Sequence, residues 1–276
     1  MLIGAVGNRF YGTMRTIHSG RTDAGEKFQD EGVFIGFLPD LGRCSCAGKG
    51  FWIGESLRSC VAFEGEIYNR EEILRLAGAG TEAEALFNLY RKHGSHFLKR
   101  INGAFSLAVW DGVEKTLLVA RDAIGIYQAF FRVEGDGLAF SSRLFPMADF
   151  RTGSGLSTAA LLEYLVFCYN IGEESFYPGI RRLRPGHFLK WNRSGYSKGR
   201  YWSLDFDPDN GLSEQDAIEA IRVKLQESVR MRMRPSNLRR ILERRAGFFD
   251  RGFAAQPFRG GRLPDLFLQV QGRNLR

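Results

Sequence analysis

The chain has 276 residues, 44% of them hydrophobic and 23 of them phenylalanine, enough for a globular core in one large domain or two small ones. Its net charge of +8 is uneven: residues 235–276 hold nine arginines, no lysine and three acids, whereas the 234 residues before them balance 30 bases against 28 acids. No apolar run approaches the ~20 residues of a membrane span, and residues 2–6 are too short for a signal-peptide core, so composition argues for a cytoplasmic protein without a membrane.

Residues 1–60 read as short strands separated by Gly-rich loops, with strands expected over 2–6, 31–36 and 50–53. Residues 60–63 read as the end of a buried strand. Glu64-Gly65 is expected to turn sharply there, and Ile67-Tyr68 to lead into a helix with Glu71 and Glu72 in its first turn. Ala85, Leu86, Leu89 and Tyr90 recur at helical spacing, which predicts a helix over 81–94 that Gly94 ends. Residues 105–110, 116–120, 129–133 and 137–141 alternate or run apolar with Gly turns between them, the pattern of an antiparallel meander. A second helix is expected over 157–168, with Ser157 as its N-cap and Leu161, Leu162 and Leu165 on one face. A third begins at Ser213 and carries Ala217, Ile218, Ile221 and Leu225 at helical spacing, and the period stops at Pro235. Strands with segregated helices argue for an α+β layered fold.

Few residues suggest metal chemistry. The cysteines (Cys44, Cys46, Cys60 and Cys168) suit a reducing compartment, and Cys44-x-Cys46 lacks both the spacing and the histidines of a zinc knuckle. His18, His93, His96 and His187 have no ligand spacing, so no metal is expected.

Five segments occur in a telling order: VAFEGEIYN at 61–69, INGAFSLAVWD at 101–111, ARDAIGI at 120–126, LAFSS at 138–142 and IRRLRPGHFLKW at 180–191. As an ordered set they resemble the type-2 glutamine-amidotransferase domain of the asparagine synthetase family, the type with an N-terminal nucleophile, over roughly residues 1–202. The resemblance implies an N-terminal-nucleophile-hydrolase-like four-layer sandwich of two stacked antiparallel sheets between helices. It divides the chain into an amidotransferase-like domain (1–204), a linker with the first synthetase helix (205–234) and an Arg-rich tail (235–276).

Such an amidase attacks with a thiol on its first residue and holds the tetrahedral oxyanion with preorganised donors. By resemblance the nucleophile belongs at Ile3, and residue 2 is leucine; neither can attack an amide. The family's oxyanion-hole Asn and Gly correspond to Glu64 and Gly65, and an ionised glutamate there is an acceptor that would repel the developing charge. Glu66 and Glu82 match the acids that hold the glutamine α-amine, with surface helix-end acids as the alternative reading. Arg43 is the counterpart of the substrate-carboxylate clamp or, alternatively, a solvated loop residue. Arg121, Asp122 and Gly125 match a structural RDxxG turn, expected to hold an Arg–Asp pair that joins strands.

The complete family enzyme is expected to hydrolyse glutamine and to activate an aspartate-like carboxylate with ATP and Mg²⁺, and a homodimer is one assembly it implies. The ATP loop SGGLDSS is absent from this chain, so no cofactor is expected in it. Codons compatible with residues 243–250, shifted by one base, can spell that string, which suggests a frame slip near Arg234 and makes the tail out-of-frame or disordered. Relatives such as β-lactam synthetases and lasso-peptide cyclases offer a second reading, in which the domain is a non-catalytic scaffold. The third reading takes Arg239, Arg240, Arg244 and Arg245 as a nucleic-acid arm; the tail lacks an RGG array or interleaved aromatics, so this is the weakest.

Overall fold

A computed structural model describes residues 1–20, 25–38, 49–208 and 211–232. Arg43, Cys44, Cys46 and the whole of the tail from 235 onward lie outside the described residues. The chain divides into two units, Met1–Ala217 and Ile218–Arg276.

The first unit is built on two six-stranded antiparallel sheets. Its elements in chain order are β1 (Leu2–Val6), α1 (Asn8–Ser19), β2 (Lys27–Asp30), β3 (Val33–Phe37), β4 (Lys49–Gly54), β5 (Ser59–Ile67), α2 (Arg70–Ala77) and α3 (Glu82–His93). There follow β6 (Gly103–Asp111), β7 (Thr116–Arg121), β8 (Phe130–Glu134), β9 (Gly137–Ser141), α4 (Thr158–Phe167), β10 (Arg181–Arg182), β11 (His187–Asn192) and β12 (Gly195–Arg200). One sheet has the order β10-β8-β9-β1-β3-β2 and the other β12-β11-β7-β6-β5-β4.

Strand alternation sorts the side chains into three apolar layers. Leu2, Val6, Ile35 and Phe140 of the first sheet meet Cys60, Ala62, Trp110, Val119 and Leu189 of the second in the core between them. The other face of the second sheet, with Val61, Phe63, Leu107 and Leu118, packs under Ala85, Leu86 and Leu89 of α3. The outer face of the first sheet, with Ile3, Ala5 and Phe34, packs under Phe10 and Met14 of α1. Helix, sheet, sheet, helix: this is the four-layer α+β sandwich expected from the sequence. Burying each large apolar side chain in these layers stabilises by about 1.5–3 kcal/mol.

Local signals account for the helix ends. Thr81 Oγ1 accepts the Glu84 N–H at 3.2 Å, and Gly94 follows the last turn with φ +56°. Ser157 Oγ accepts the Ala160 N–H at 3.3 Å to start α4. In the helix α5 (Glu214–Arg232), Ser213 Oγ accepts the Asp216 N–H at 3.2 Å.

Three expectations need correction. Residues 8–19 form helix α1 rather than loop; its Phe10, Met14 and His18 point inward one turn apart. The meander is two hairpins in different sheets, because β6 pairs with β7 while β8 pairs with β9 across the sandwich. The strand does not end at Phe63: β5 continues through Glu64 and Gly65 to Ile67, opposite Ser106, Phe105 and Gly103 of β6. Gly65 keeps the ladder intact at φ +134°, where a Cβ would lie 2.0 Å from the Ala104 carbonyl oxygen. Helix α4 agrees with the expected span and its Ser157 cap, and the three leucines expected on one face, Leu161, Leu162 and Leu165, are all exposed.

Candidate functional site

Continuation of β5 past Phe63 decides where Glu64 points. Cys60 and Ala62 face the inter-sheet core, so Glu64, two residues on, faces the first sheet across the sandwich. There β1 and the end of β9 lie side by side, with Ile3 opposite Ser141. A carboxylate carried into this dry space needs donors, and the first sheet supplies them. Glu64 Oε2 accepts from Ser142 Oγ at 2.5 Å and from the Leu2 backbone N–H at 3.2 Å. Its Oε1 accepts from Arg143 Nη2 at 3.2 Å. Ser142 Oγ also accepts the Leu2 N–H at 2.9 Å, so three groups converge on the start of β1. Glu64 is 1% exposed and Arg143 29%. The result is a buried ion pair with a short hydroxyl bond, clamping one sheet to the other.

Ile3 is fully buried, but its side chain lies on the opposite face of β1, in the layer beneath α1 with Phe34 and Met147. Leu2 is the residue that meets Glu64, through its backbone. Gly65, expected by resemblance at an oxyanion hole, is a strand residue opposite Phe105. Glu66 is half-buried on the same face of β5 as Glu64. Tyr127 feels both acids: burial first, then the charges of Glu64 and Glu66, push its phenol up to about 12. Glu82 stands at the start of α3, where its carboxylate meets Arg70 Nε at 3.2 Å. Glu64, Glu66 and Tyr127 therefore share one electrostatic neighbourhood with Arg143.

Arg121, Asp122 and Gly125 form the crossover between the sheets, and they do so without the expected side-chain pair. Asp122 Oδ1 accepts the N–H groups of Ile124, Gly125 and Ile126 at 3.2, 2.6 and 3.0 Å. Its Oδ2 accepts those of Tyr127 and Phe105 at 2.9 and 3.3 Å. Arg121 gives its guanidinium to the carbonyls of Tyr127, Leu183 and Gly125 at 2.6, 2.9 and 2.7 Å. Burial lowers Arg121 to about 10, still charged at neutral pH. Gly125 has φ +80°, and a Cβ there would sit 2.8 Å from Arg121 Nη2. Each charged side chain is thus a clamp on backbone, which explains why residues adjacent in sequence point to different partners.

Sequence reasoning assigned no role to Ser142, Arg143 or Tyr127. Their signal was present in LAFSS and in the residues after the RDxxG turn, but only the antiparallel pairing of β1 with β9 brings residues 78 and 79 positions away from Glu64 onto its carboxylate.

Chemically the arrangement is an acceptor satisfied by donors, beside two aliphatic residues. Among the described residues it holds no thiol: Cys60 is wholly buried with its thiol pushed well up by that burial, and Cys168 ends α4.

Residues 45–202 match the description of a glutamine amidotransferase domain. A Mycobacterium bovis protein, named provisionally as asparagine synthetase (glutamine-hydrolyzing), is 31% identical over 196 residues, covering 64% of this chain and 30% of its own length. Asparagine synthetase (glutamine-hydrolyzing) 3 of Bacillus subtilis is 26% identical over 182 residues, 61% of this chain and 29% of that protein. Among solved structures, glutamine phosphoribosylpyrophosphate amidotransferase from Bacillus subtilis aligns with a TM-score of 0.44 at 13% identity, over 75% of this chain and 50% of that one. The match spans about 30% of the length of the curated relatives. Among the described residues no helix is long and apolar enough to cross a membrane.

Proposed function

We propose, for a chain that belongs to the glutamine amidotransferase domain family and is asparagine-synthetase-like in sequence, that its domain does not hydrolyse glutamine and serves as a scaffold for an amide-forming partner half. The observation that carries this reading is the Glu64 carboxylate, buried and bonded to Ser142, Leu2 and Arg143 where the resemblance expects oxyanion donors. An acceptor in that position opposes a developing oxyanion instead of stabilising it, and loss of even one oxyanion donor costs on the order of 10²–10³ in rate. The side chains at positions 2 and 3 are aliphatic, so covalent attack has no nucleophile either.

Glutamine hydrolysis by the complete family enzyme, with ammonia passed to an activated carboxylate, is the alternative. It would require a thiol and an ATP loop that the sequence does not carry at the matching positions. A scaffold needs neither, and the greater length of the relatives supports a partner half beyond this domain. A cytoplasmic location belongs to the same proposal.

The test is direct. The full chain is incubated with glutamine, and glutamate and ammonia release are followed. No release above buffer is expected; a measurable rate would overturn the reading, all the more if it survived replacement of all four cysteines.

A further inference from the structure

Strand β10 is two residues long and covers the edge of β8 only as far as Phe131. The Leu183 N–H donates to the Ala129 carbonyl at 2.8 Å, so Ala129, Phe131 and Val133 turn their backbone groups toward the β10 side and the residues between them toward β9. The two-residue turn at 135–136 agrees, closing on the Glu134–Gly137 pair with Gly135 at φ +60°. Arg181 sits opposite Phe131, but no strand residue sits opposite Val133 on that side. The chain there has just left the turn at 177–180, in which the Ile180 N–H donates to the Tyr177 carbonyl at 3.1 Å and Gly179 has φ +80°. The Val133 N–H and C=O are thus an unpaired rung of the ladder among the described residues.

A cavity of 420 Å³ lies over this rung, a volume that small-ligand sites also have. Val133, Gly179 and Arg181 line it together with Thr152 and with Tyr196 of β12. Its charges are settled except for one. Arg132 bonds to Glu134 and to the Phe150 carbonyl, and Arg9 bonds to the same Glu134. Arg181 is exposed and has no ion pair among the described residues. Residues paired across strands share a face, so Arg181 stands on the same face as Phe131 and Val133. The slot therefore offers one donor, one acceptor and one guanidinium side by side. The last residue of a peptide matches all three, with an N–H for the Val133 carbonyl and a carboxylate for the Val133 N–H and Arg181. An internal segment of a peptide would bring no charge, and its continuation would run into residues 179–181.

We propose that this slot binds the C-terminal carboxylate of an extended peptide, which adds as a strand antiparallel to β8 with its last residue opposite Val133 and its carboxylate on Arg181. No residue of the Glu64 cluster lines the slot, and binding there is independent of whether the domain hydrolyses glutamine.

Titration calorimetry of the full chain with acetylated Gly-Ala-Leu, ending in a free carboxylate, reads the outcome. Saturable binding with a dissociation constant on the order of 100 µM is expected. The C-terminal amide of the same peptide should bind about ten-fold more weakly or worse, as should the acid on Arg181→Gln, since each loses a charge-assisted bond. N-methylation of the peptide's leucine removes the donor to the Val133 carbonyl and should cost about as much. Arg193→Gln, an exposed arginine in the β11–β12 turn, should leave the dissociation constant within about two-fold. The changes made on the peptide test the site without touching the fold of the protein. No binding up to about 5 mM peptide overturns the proposal. So does equal binding of acid and amide, indifference to N-methylation, or full affinity in a folded Arg181→Gln variant.

Discussion

Glu64 illustrates how a carboxylate can be carried into the space between two sheets without disturbing the frame around it. Asparagine in its place would offer both a donor and an acceptor, whereas ionised glutamate offers acceptors only. The surrounding donors have accommodated it: a hydroxyl, a backbone N–H and a guanidinium all point at its two oxygens. Removing the carboxylate strands these donors, so Glu64→Ala is expected to lower the unfolding free energy by about 2–3 kcal/mol, below the 3–5 kcal/mol of a fully buried pair because Arg143 is partly solvated. Glu64→Gln keeps an acceptor for Ser142 and should cost about half as much. Urea denaturation of both variants checks the order; equal costs would show that the neutral acceptor recovers nothing and that the charge on Glu64 carries the whole contribution. The identity of this residue was legible in the sequence, but its partners were not. A buried ion pair depends on which strands lie opposite, and no local pattern encodes that the residues after β9 return to β5.

At the scale of elements, what was legible is what the chain specifies locally. Helix α3 follows from Thr81, Gly94 and an apolar period of three and four, and its observed ends agree within a residue. Helix α1 has no such markers: its N-cap is Gly7 at φ +82°, no side chain caps it, no acid occupies its first turn and Gly12 interrupts it. Only packing of Phe10 and Met14 onto the first sheet makes it a helix, a case of tertiary context overriding propensity. The split of the expected meander has a comparable cause, since alternation gives strands but not the sheet each joins. The switch is made by the Asp122 turn, in which one carboxylate serves five backbone N–H groups. Asp122→Ala should therefore cost about 3–5 kcal/mol, as several buried donors lose their partner at once. Thr81→Ala, removing one cap, should cost about 1 kcal/mol. Thermal or urea unfolding of the two variants side by side distinguishes a crossover clamp from an ordinary turn: similar losses would contradict the role given to Asp122.

For the whole first unit, burial holds three phenols in the neutral form, and two of them tie distant elements together. Tyr90 is within hydrogen-bond distance of Thr116 Oγ1 at 3.0 Å, linking α3 to β7, and Tyr201 donates to the Arg121 carbonyl at 2.7 Å, linking the end of β12 to the crossover. Tyr127 stands beside the Glu64 cluster. Burial raises each of them, Tyr127 to about 12, against an ordinary phenol near 10. In the unfolded chain these tyrosines lose their protons near pH 10, whereas in the fold they keep them longer, so above that pH the unfolded state binds fewer protons. Their contribution is complete below about pH 10 and is lost as pH climbs toward 12. Urea midpoints followed from pH 8 upward should accordingly hold level and then fall. Tyr127→Phe, which cannot ionise, should make that fall shallower while leaving the midpoint at pH 8 little changed. In an absorbance titration, three of the nine tyrosines should ionise only as the fold is lost. If all nine ionise together near pH 10 with the fold intact, these phenols are open to solvent and the buried links between the layers are not as described.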